Sequence, residues 1–419
     1  MSEPTTAETS DLQVRRLLVH LGAAMVATGQ PVSDIEDEVV EVAARLGFPD
    51  AQIAAGPTGV ILTLGSGEPS TYEAVQGSLR LDQAAEVRTI RYQLLVGSST
   101  IEEAISALLA LGARPPRYPT WVANLGWIGI ATGIALILQP GRANVAFAAV
   151  GGAIVVGLFR LGQRFRLVGT LLPTLAAFVL GCLVFAGADV GLVEGPLRTL
   201  LPPLAVLLPG ALIVTAMSEL ATGDMVAGAS RLVFGAVQLL LFTLGIVAAA
   251  QLFQVPPTEL TNVRVDELGW WAAPVGLVLI TFGIGLLESP PLALLPWIAL
   301  NLVLAFSAQS LGQHLSGPVL GSLAGALAAS MGAYAVEGLR PRLPRLVVFL
   351  PSFWLLVPGS LGLLSTTQLA VNGAASGGTL TGVLGVVSAI ALGLLIGSAV
   401  AQSVGGAVRR ARRRPLLAR

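Results

Sequence analysis

From residue 119 onward the chain is built of apolar runs, several long enough to cross a bilayer as a helix, which takes about 20 residues. In hydrocarbon no water is present to satisfy a backbone N–H or C=O, so a spanning segment must pair these groups internally. A helix does this within one segment. The runs therefore commit most of the chain to a polytopic all-α membrane protein. Only 11% of the 419 residues are charged, against about 25% in ordinary soluble domains.

Ten spans are predicted. The first five lie near 120–138, 143–160, 167–187, 200–219 and 227–253, the second five near 269–287, 290–308, 316–335, 346–367 and 379–402. A shift of 149 residues superposes Trp121 on Trp270, Thr132 on Thr281, and Pro209-Gly210 on Pro358-Gly359. Leu212, Leu220, Ala221 and Gly228 also meet identical residues at that offset. The pattern is an internal duplication. Two consecutive copies of five spans enter the membrane from opposite sides, so a 5+5 inverted repeat is expected, as in many transporters.

Charge agrees with this count. The loop after span 2 carries Arg160, Arg164 and Arg166, the loop after span 8 carries Arg340, Arg342 and Arg345, and the tail carries Arg409, Arg410, Arg412, Arg413 and Arg414. With both termini cytoplasmic, all three clusters lie inside, as the positive-inside rule asks. Trp121, Trp270 and Trp271 open their spans, where interfacial aromatics anchor a helix.

Ahead of the membrane region a small α/β domain is expected at 11–118, preceded by a disordered tail at 1–10. The membrane repeats then occupy 119–260 and 261–405, and 406–419 is an Arg-rich cytoplasmic tail. Leu17, Leu21 and Met25 recur at helical spacing. Ser33 and Glu36 read as a capping box before Ile35, Val39, Val42 and Leu46, with Gly47 as the stop. Strands are predicted at 58–64 and 86–92, and a third helix capped by Ser99 with Glu102 or by Thr100 with Glu103. The N-terminal stretch has no basic segment followed by an apolar core, so no signal peptide is expected.

Several chemistries are excluded or unsupported. All 24 basic residues are Arg, so a P-loop Lys and Schiff-base chemistry are absent. The single Cys, Cys182, cannot form an intrachain disulfide or a multi-Cys cluster. Net charge is zero, which gives no reason to expect a nucleic-acid partner. No hydrolase or metal-ligand motif accompanies His20, and no cofactor or metal is expected. Acids at Asp34, Glu36, Asp37, Glu38 and Glu41 read as a solvated helix face. Asn124, Gln238, Glu288, Asn301, Gln309 and His314 read as interhelical or interface hydrogen-bonding groups.

The stretch VLLPGALIVTAMSELATGD at 206–224 carries the strongest local signal. Pro209 lacks an N–H and Gly210 lowers helix propensity, so together they break span 4. The copy at 355–373 repeats the break at Pro358 and Gly359 and adds Ser360, Ser365, Thr366, Thr367, Gln368 and Asn372. Paired breaks at corresponding positions point to a midplane site. Glu219 and Asp224 have no acidic counterparts in the second copy. Either they lie in the membrane and handle a proton or a substrate ammonium, or they are solvated in a cytoplasmic turn. Arg231 is an ion-pair partner or a carboxylate clamp.

These residues resemble the threonine/serine exporter family. GQPVSDIEDEVVEVAARLG followed by GPTGVILTL is similar to its N-terminal domain, LLPGALIVTAMSELATGDMVAGASRL to its membrane signature, and FLPSFWLLVPGSLGL to its second-half module. The resemblance implies a ten-span bacterial inner-membrane exporter of threonine and serine, driven by proton antiport. The positions that match are Pro209, Gly210, Glu219, Gly223, Asp224, Gly228, Arg231, Pro358 and Gly359. The expected partners are a small amino acid, the proton and the lipid bilayer, and the chain could form a homo-oligomer. Rival readings are a dicarboxylate exporter of the succinate type, a hydrolytic N-terminal domain, and a channel or sensor.

Overall fold

The computed structural model describes residues 6–256, 260, 263–339, 345–356, 363, 366–368, 370 and 377–413. Pro358, Gly359, Ser365 and Asn372 lie outside the described residues, as do Arg340, Arg342 and Arg414.

The N-terminal unit opens with α1 (Thr6–Ala27) and α2 (Val32–Arg45), followed by a three-stranded antiparallel sheet. The strands β1 (Gln52–Gly56), β2 (Gly59–Thr63) and β3 (Thr71–Ala74) lie in the order β1-β2-β3, with Ala54 opposite Ile61 and Ile61 opposite Tyr72. Helices α3 (Leu81–Val96) and α4 (Ile101–Ala110) complete it. A core of its own gathers Leu17, Leu18, Leu21, Ile35, Val39, Val60, Leu62, Ile90 and Leu108.

Three expectations are corrected here. Helix α1 begins at Thr6, so the second half of the expected tail is helical. The predicted strand at 86–92 lies inside α3, because Leu81, Ala84, Val87, Ile90, Arg91 and Leu94 bury one face at helical spacing. The sheet is completed by β1 and β3 instead. Ser33 does not cap α2; Pro31 holds the cap position, and Glu36 accepts a hydrogen bond from the Ala55 N–H at 2.8 Å. Of the two alternatives for α4, Thr100 with Glu103 forms the capping box.

Seven helices among the described residues are long and apolar enough to cross a membrane. Spans 1, 2, 3, 5 and 6 each correspond to one of them: α5 (Thr120–Leu138), α6 (Arg142–Arg164), α8 (Leu172–Asp189, after a short α7 at Arg166–Thr170), α12 (Met225–Leu252) and Gly269–Leu287, whose α part is α13 (Ala272–Leu287). Spans 7 and 8 share one helical stretch, α14 (Leu295–Leu339), which leaves helical geometry at Ser316 and Gly317, where Gly317 takes φ +85° ahead of Pro318. At about 1.5 Å per residue a straight helix of that length would be twice as long as a bilayer is thick.

Span 4 is not one helix. Two short turns, α9 (Pro196–Thr199) and α10 (Leu201–Leu204), precede the 13-residue α11 (Gly210–Thr222). Span 9 is represented by the 12-residue α15 (Arg345–Leu356), and span 10 by α16 (Gly377–Arg413), with its apolar window at Leu384–Ala401.

Small residues set how these helices meet. Helices α5 and α13 run antiparallel with Gly126 against Gly283 and Gly133 against Gly276; a Cβ at any of the four would strike the opposing backbone carbonyl. A second contact occurs twice. Gly245 of α12 packs on Thr174 O, Ala177 Cβ and Phe178 N of α8. Gly393 of α16 packs on Leu323 O, Ala326 Cβ and Leu327 N of α14; these three partners lie 149 positions beyond Thr174, Ala177 and Phe178, and the glycine 148 beyond Gly245.

The bundle has two polar ends. At one, Gln139 and Asn144, both buried, tie the turn between α5 and α6 to residues 194–199 and to the stretch ahead of α13. Gln139 donates to Glu194 O and Val263 O at 3.3 Å and accepts from Val265 N at 3.2 Å, and Asn144 donates to Glu194 O and Thr199 Oγ1 at 2.7 Å. At the other end sits the N-terminal unit, and Leu81, Ala84 and Ala85 of α3 join the core formed by α13, α14 and α15.

Candidate functional site

The break at Pro209-Gly210 forms as the sequence expects: α11 starts at Gly210, with Pro209 at its cap position. The helix ends at Gly223, whose φ of +100° is open to glycine at little steric cost and reverses the chain into α12. Gly228 lets the two arms of this hairpin close, since a Cβ there would lie 2.8 Å from Ala216 O.

The closure brings Arg231 Nη1 to 2.7 Å from Glu219 Oε1, and their side chains are 7% and 0% exposed. The same oxygen accepts the backbone N–H of Val32, the first residue of α2, at 3.1 Å. Glu219 Oε2 is buried and has no hydrogen-bond partner among the described residues. An ion pair so poorly hydrated costs much of its own Coulomb gain in desolvation, and removing one partner leaves a buried charge.

Asp224 lies apart from this pair, at the cap position of α12. It sits in the turn, half-buried, and accepts Thr222 Oγ1 at 3.1 Å. Its charge is felt by Glu36 of the N-terminal unit. Burial pushes the Glu36 carboxyl above its usual range, the Ala55 N–H opposes this, and Asp224 adds to it.

A second polar group lies farther along α12. Thr243, buried, has its hydroxyl 2.7 Å from that of Thr366, and Thr366 also donates to Leu363 O at 3.1 Å. Thr367 is fully buried and its hydroxyl has no partner among the described residues, and Gln368 Nε2 reaches Leu260 O at 3.5 Å. From Arg231 to Thr243 the helix rises about 18 Å, so the ion pair and the hydroxyl group are separate places. Thr366 and Gln368 were legible from the sequence. Thr243 was missed, since one Thr in an apolar helix carries no signal until its partner is seen.

The chain matches the family model described as "Putative threonine/serine exporter" over residues 16–253. It belongs to this exporter family. The match takes in the N-terminal unit and the α11–α12 hairpin, and stops before α13.

A "Probable threonine/serine exporter" of Mycobacterium tuberculosis is 25% identical over 238 residues, 54% of this chain and 44% of that protein. "Pheromone-regulated membrane protein 10" of Eremothecium gossypii is 24% identical over 270 residues, 61% of this chain and 35% of that protein. A glycerol-3-phosphate acyltransferase of an Anaeromyxobacter strain is 32% identical over 171 residues, 40% of this chain and 79% of that protein. The chain spans less than half the length of the exporter and the pheromone-regulated protein. No solved structure matches it significantly.

Proposed function

We propose that the chain is a secondary exporter of small hydroxylated amino acids of the threonine/serine class, coupled to the proton-motive force across a bacterial inner membrane. The observation that carries this reading is the group of hydroxyls at Thr243, Thr366 and Thr367, the first two 2.7 Å apart and the first and last buried. Such groups match a side-chain hydroxyl, and the Thr367 hydroxyl has no partner among the described residues. A dicarboxylate calls for free cations, whereas Arg231 is committed to Glu219.

The architecture we assign is a 5+5 inverted repeat of ten spans. It is supported by the like contacts of Gly245 and Gly393, whose partners are offset by 149 and whose glycines are offset by 148, and by the antiparallel pairing of α5 with α13. Trp121 and Trp270 thereby lie at opposite ends of the bundle. We assign the end bearing the N-terminal unit to the cytoplasm, because Arg160, Arg164, Arg166 and Arg345 gather there. Glu219 is the group we assign to proton coupling, with Asp224 the weaker choice.

Counterflow of labelled threonine, serine and succinate in proteoliposomes, at two pH gradients, tests this. Thr243→Val and Thr366→Val should each slow threonine counterflow about fivefold to tenfold, the worth of one buried hydrogen bond. Glu219→Gln should abolish the response to the gradient. Succinate carried in preference to threonine would refute the substrate class, and a gradient response retained in Glu219→Gln would refute the coupling role.

A further inference from the structure

The first N–H of α2 and the first N–H of α3 are both capped from outside the N-terminal unit. Pro31 offers α2 no side-chain acceptor, and Arg80 at the start of α3 has none to offer. Instead Glu219 Oε1 accepts from Val32 N at 3.1 Å, and Glu288 Oε2 accepts from Leu81 N at 3.3 Å. Carboxylates are favoured at helix N-termini by the orphan N–H groups and the helix dipole. Glu219 closes α11 in the first half of the membrane region, while Glu288 follows α13 in the second half.

Two ion pairs cross the same boundary. Asp34 of α2 meets Arg345 of α15 at 2.5 Å, and Arg88 of α3 bonds Glu337 of α14 as well as Glu38. Arg345 also stacks on Tyr334, 4.6 Å from the ring centre. Arg117, just before α5, donates to Pro290 O at 3.2 Å. Between the unit and the membrane helices a cavity remains, lined by Asp34, Glu38, Arg88, Arg91, Glu337 and Arg345. Polar, half-exposed pairs around a cavity can exchange partners with water, which a dry apolar seam cannot do.

We propose that the N-terminal unit is a releasable clamp: by capping α2 with Glu219 and α3 with Glu288 it holds the two membrane halves together at one end, and substrate enters from that end only when the unit lets go. This rests on the exporter reading above. Arg345, Glu337 and Glu288 then serve as positioning residues of the closed state, outside the substrate path.

The test uses the full chain with Cys182→Ser, reconstituted in lipid vesicles. Asp34→Cys and Arg345→Cys, bridged by a cleavable bifunctional thiol reagent, should lose at least about tenfold of threonine counterflow and recover it on cleavage. Glu337→Ala should raise both counterflow and hydrogen exchange in the first turns of α2 and α3. Glu288→Gln should accelerate exchange at the start of α3 about fivefold, as expected for a weakened cap. Bridged protein that transports at the unbridged rate overturns the clamp, as does faster exchange in Glu337→Ala without faster counterflow. Threonine counterflow absent from the unbridged wild type would instead refute the exporter reading, while the exchange arms still report on the caps.

Discussion

The two ends of the membrane bundle are tied in different ways. At the end away from the N-terminal unit the buried ties are amides and hydroxyls, Gln139, Asn144 and Thr199 with backbone atoms of 194–195 and 263–265, and the Glu267 carboxylate accepts the Arg142 N–H beside them. Through Gln139, Pro140 and Arg142 this network joins the turn after α5 directly to residues 263–268 ahead of α13, with no third body between the halves. At the other end the ties are carboxylates and guanidinium groups, and they run from both halves to a third body. That end cannot open between halves while the N-terminal unit stays attached. Neutral amide bonds suit a fixed joint, and charged, partly hydrated pairs suit one that must release.

The largest effect expected is from Arg231→Ala. It strands the Glu219 carboxylate beneath α2, and breaking a buried pair in this way costs about 3–5 kcal/mol. Glu219→Leu combined with Arg231→Met should recover most of that loss, as measured by thermal unfolding in detergent, because both charges go together. If the double variant is no more stable than the single one, the pair is not the local determinant.

Gln139→Leu is next. It takes the side-chain partner from the Val263 carbonyl and the Val265 N–H, while Glu194 O keeps Asn144, for a cost of about 1–3 kcal/mol. The loss should be independent of ionic strength, whereas release of the N-terminal unit should quicken with salt. Equal salt dependence at the two ends would erase the distinction between them.

Thr100→Ala removes a cap built wholly within the N-terminal unit, at about 1 kcal/mol. It should destabilise that unit while leaving exchange at Val32 and Leu81 unchanged, which separates local from cross-boundary capping.

The smallest effect concerns pH. Burial raises the Asp34 carboxyl above its usual range; Arg345 opposes this, and Glu38 and Asp37 add to it. A carboxyl raised on docking binds its proton more tightly when docked. Between the ordinary value of 3.8 and the raised one, its contribution to docking therefore grows as pH falls and is lost as pH rises. Stopped-flow release measured down toward that window should show this contact slowing release; acceleration traceable to Asp34 would contradict the assignment.

What the sequence made legible follows the range of the interaction. Thr100 and Glu103 are three residues apart, and their box was readable as a pattern. Apolar length located the long spans, and the Pro209-Gly210 break was readable because backbone chemistry is local. The caps on α2 and α3 come from 187 and 207 residues away, and no local pattern encodes them. The segment 86–92 misled because Val, Ile and Tyr favour strands, and only its contacts make it helical. Glu219 stood out in the sequence as an acid without a counterpart in the second copy, but its partner Val32 contributes a backbone N–H, which every non-proline residue has.

The central claim is that the charged end opens by parting from the N-terminal unit. Spin labels at Ala44 of α2 and Leu339 at the end of α14, both exposed positions, allow their separation to be measured in vesicles with and without saturating threonine. Two distance populations, the longer one growing with threonine, are predicted. A single distance unchanged by threonine in protein that transports it would contradict the account.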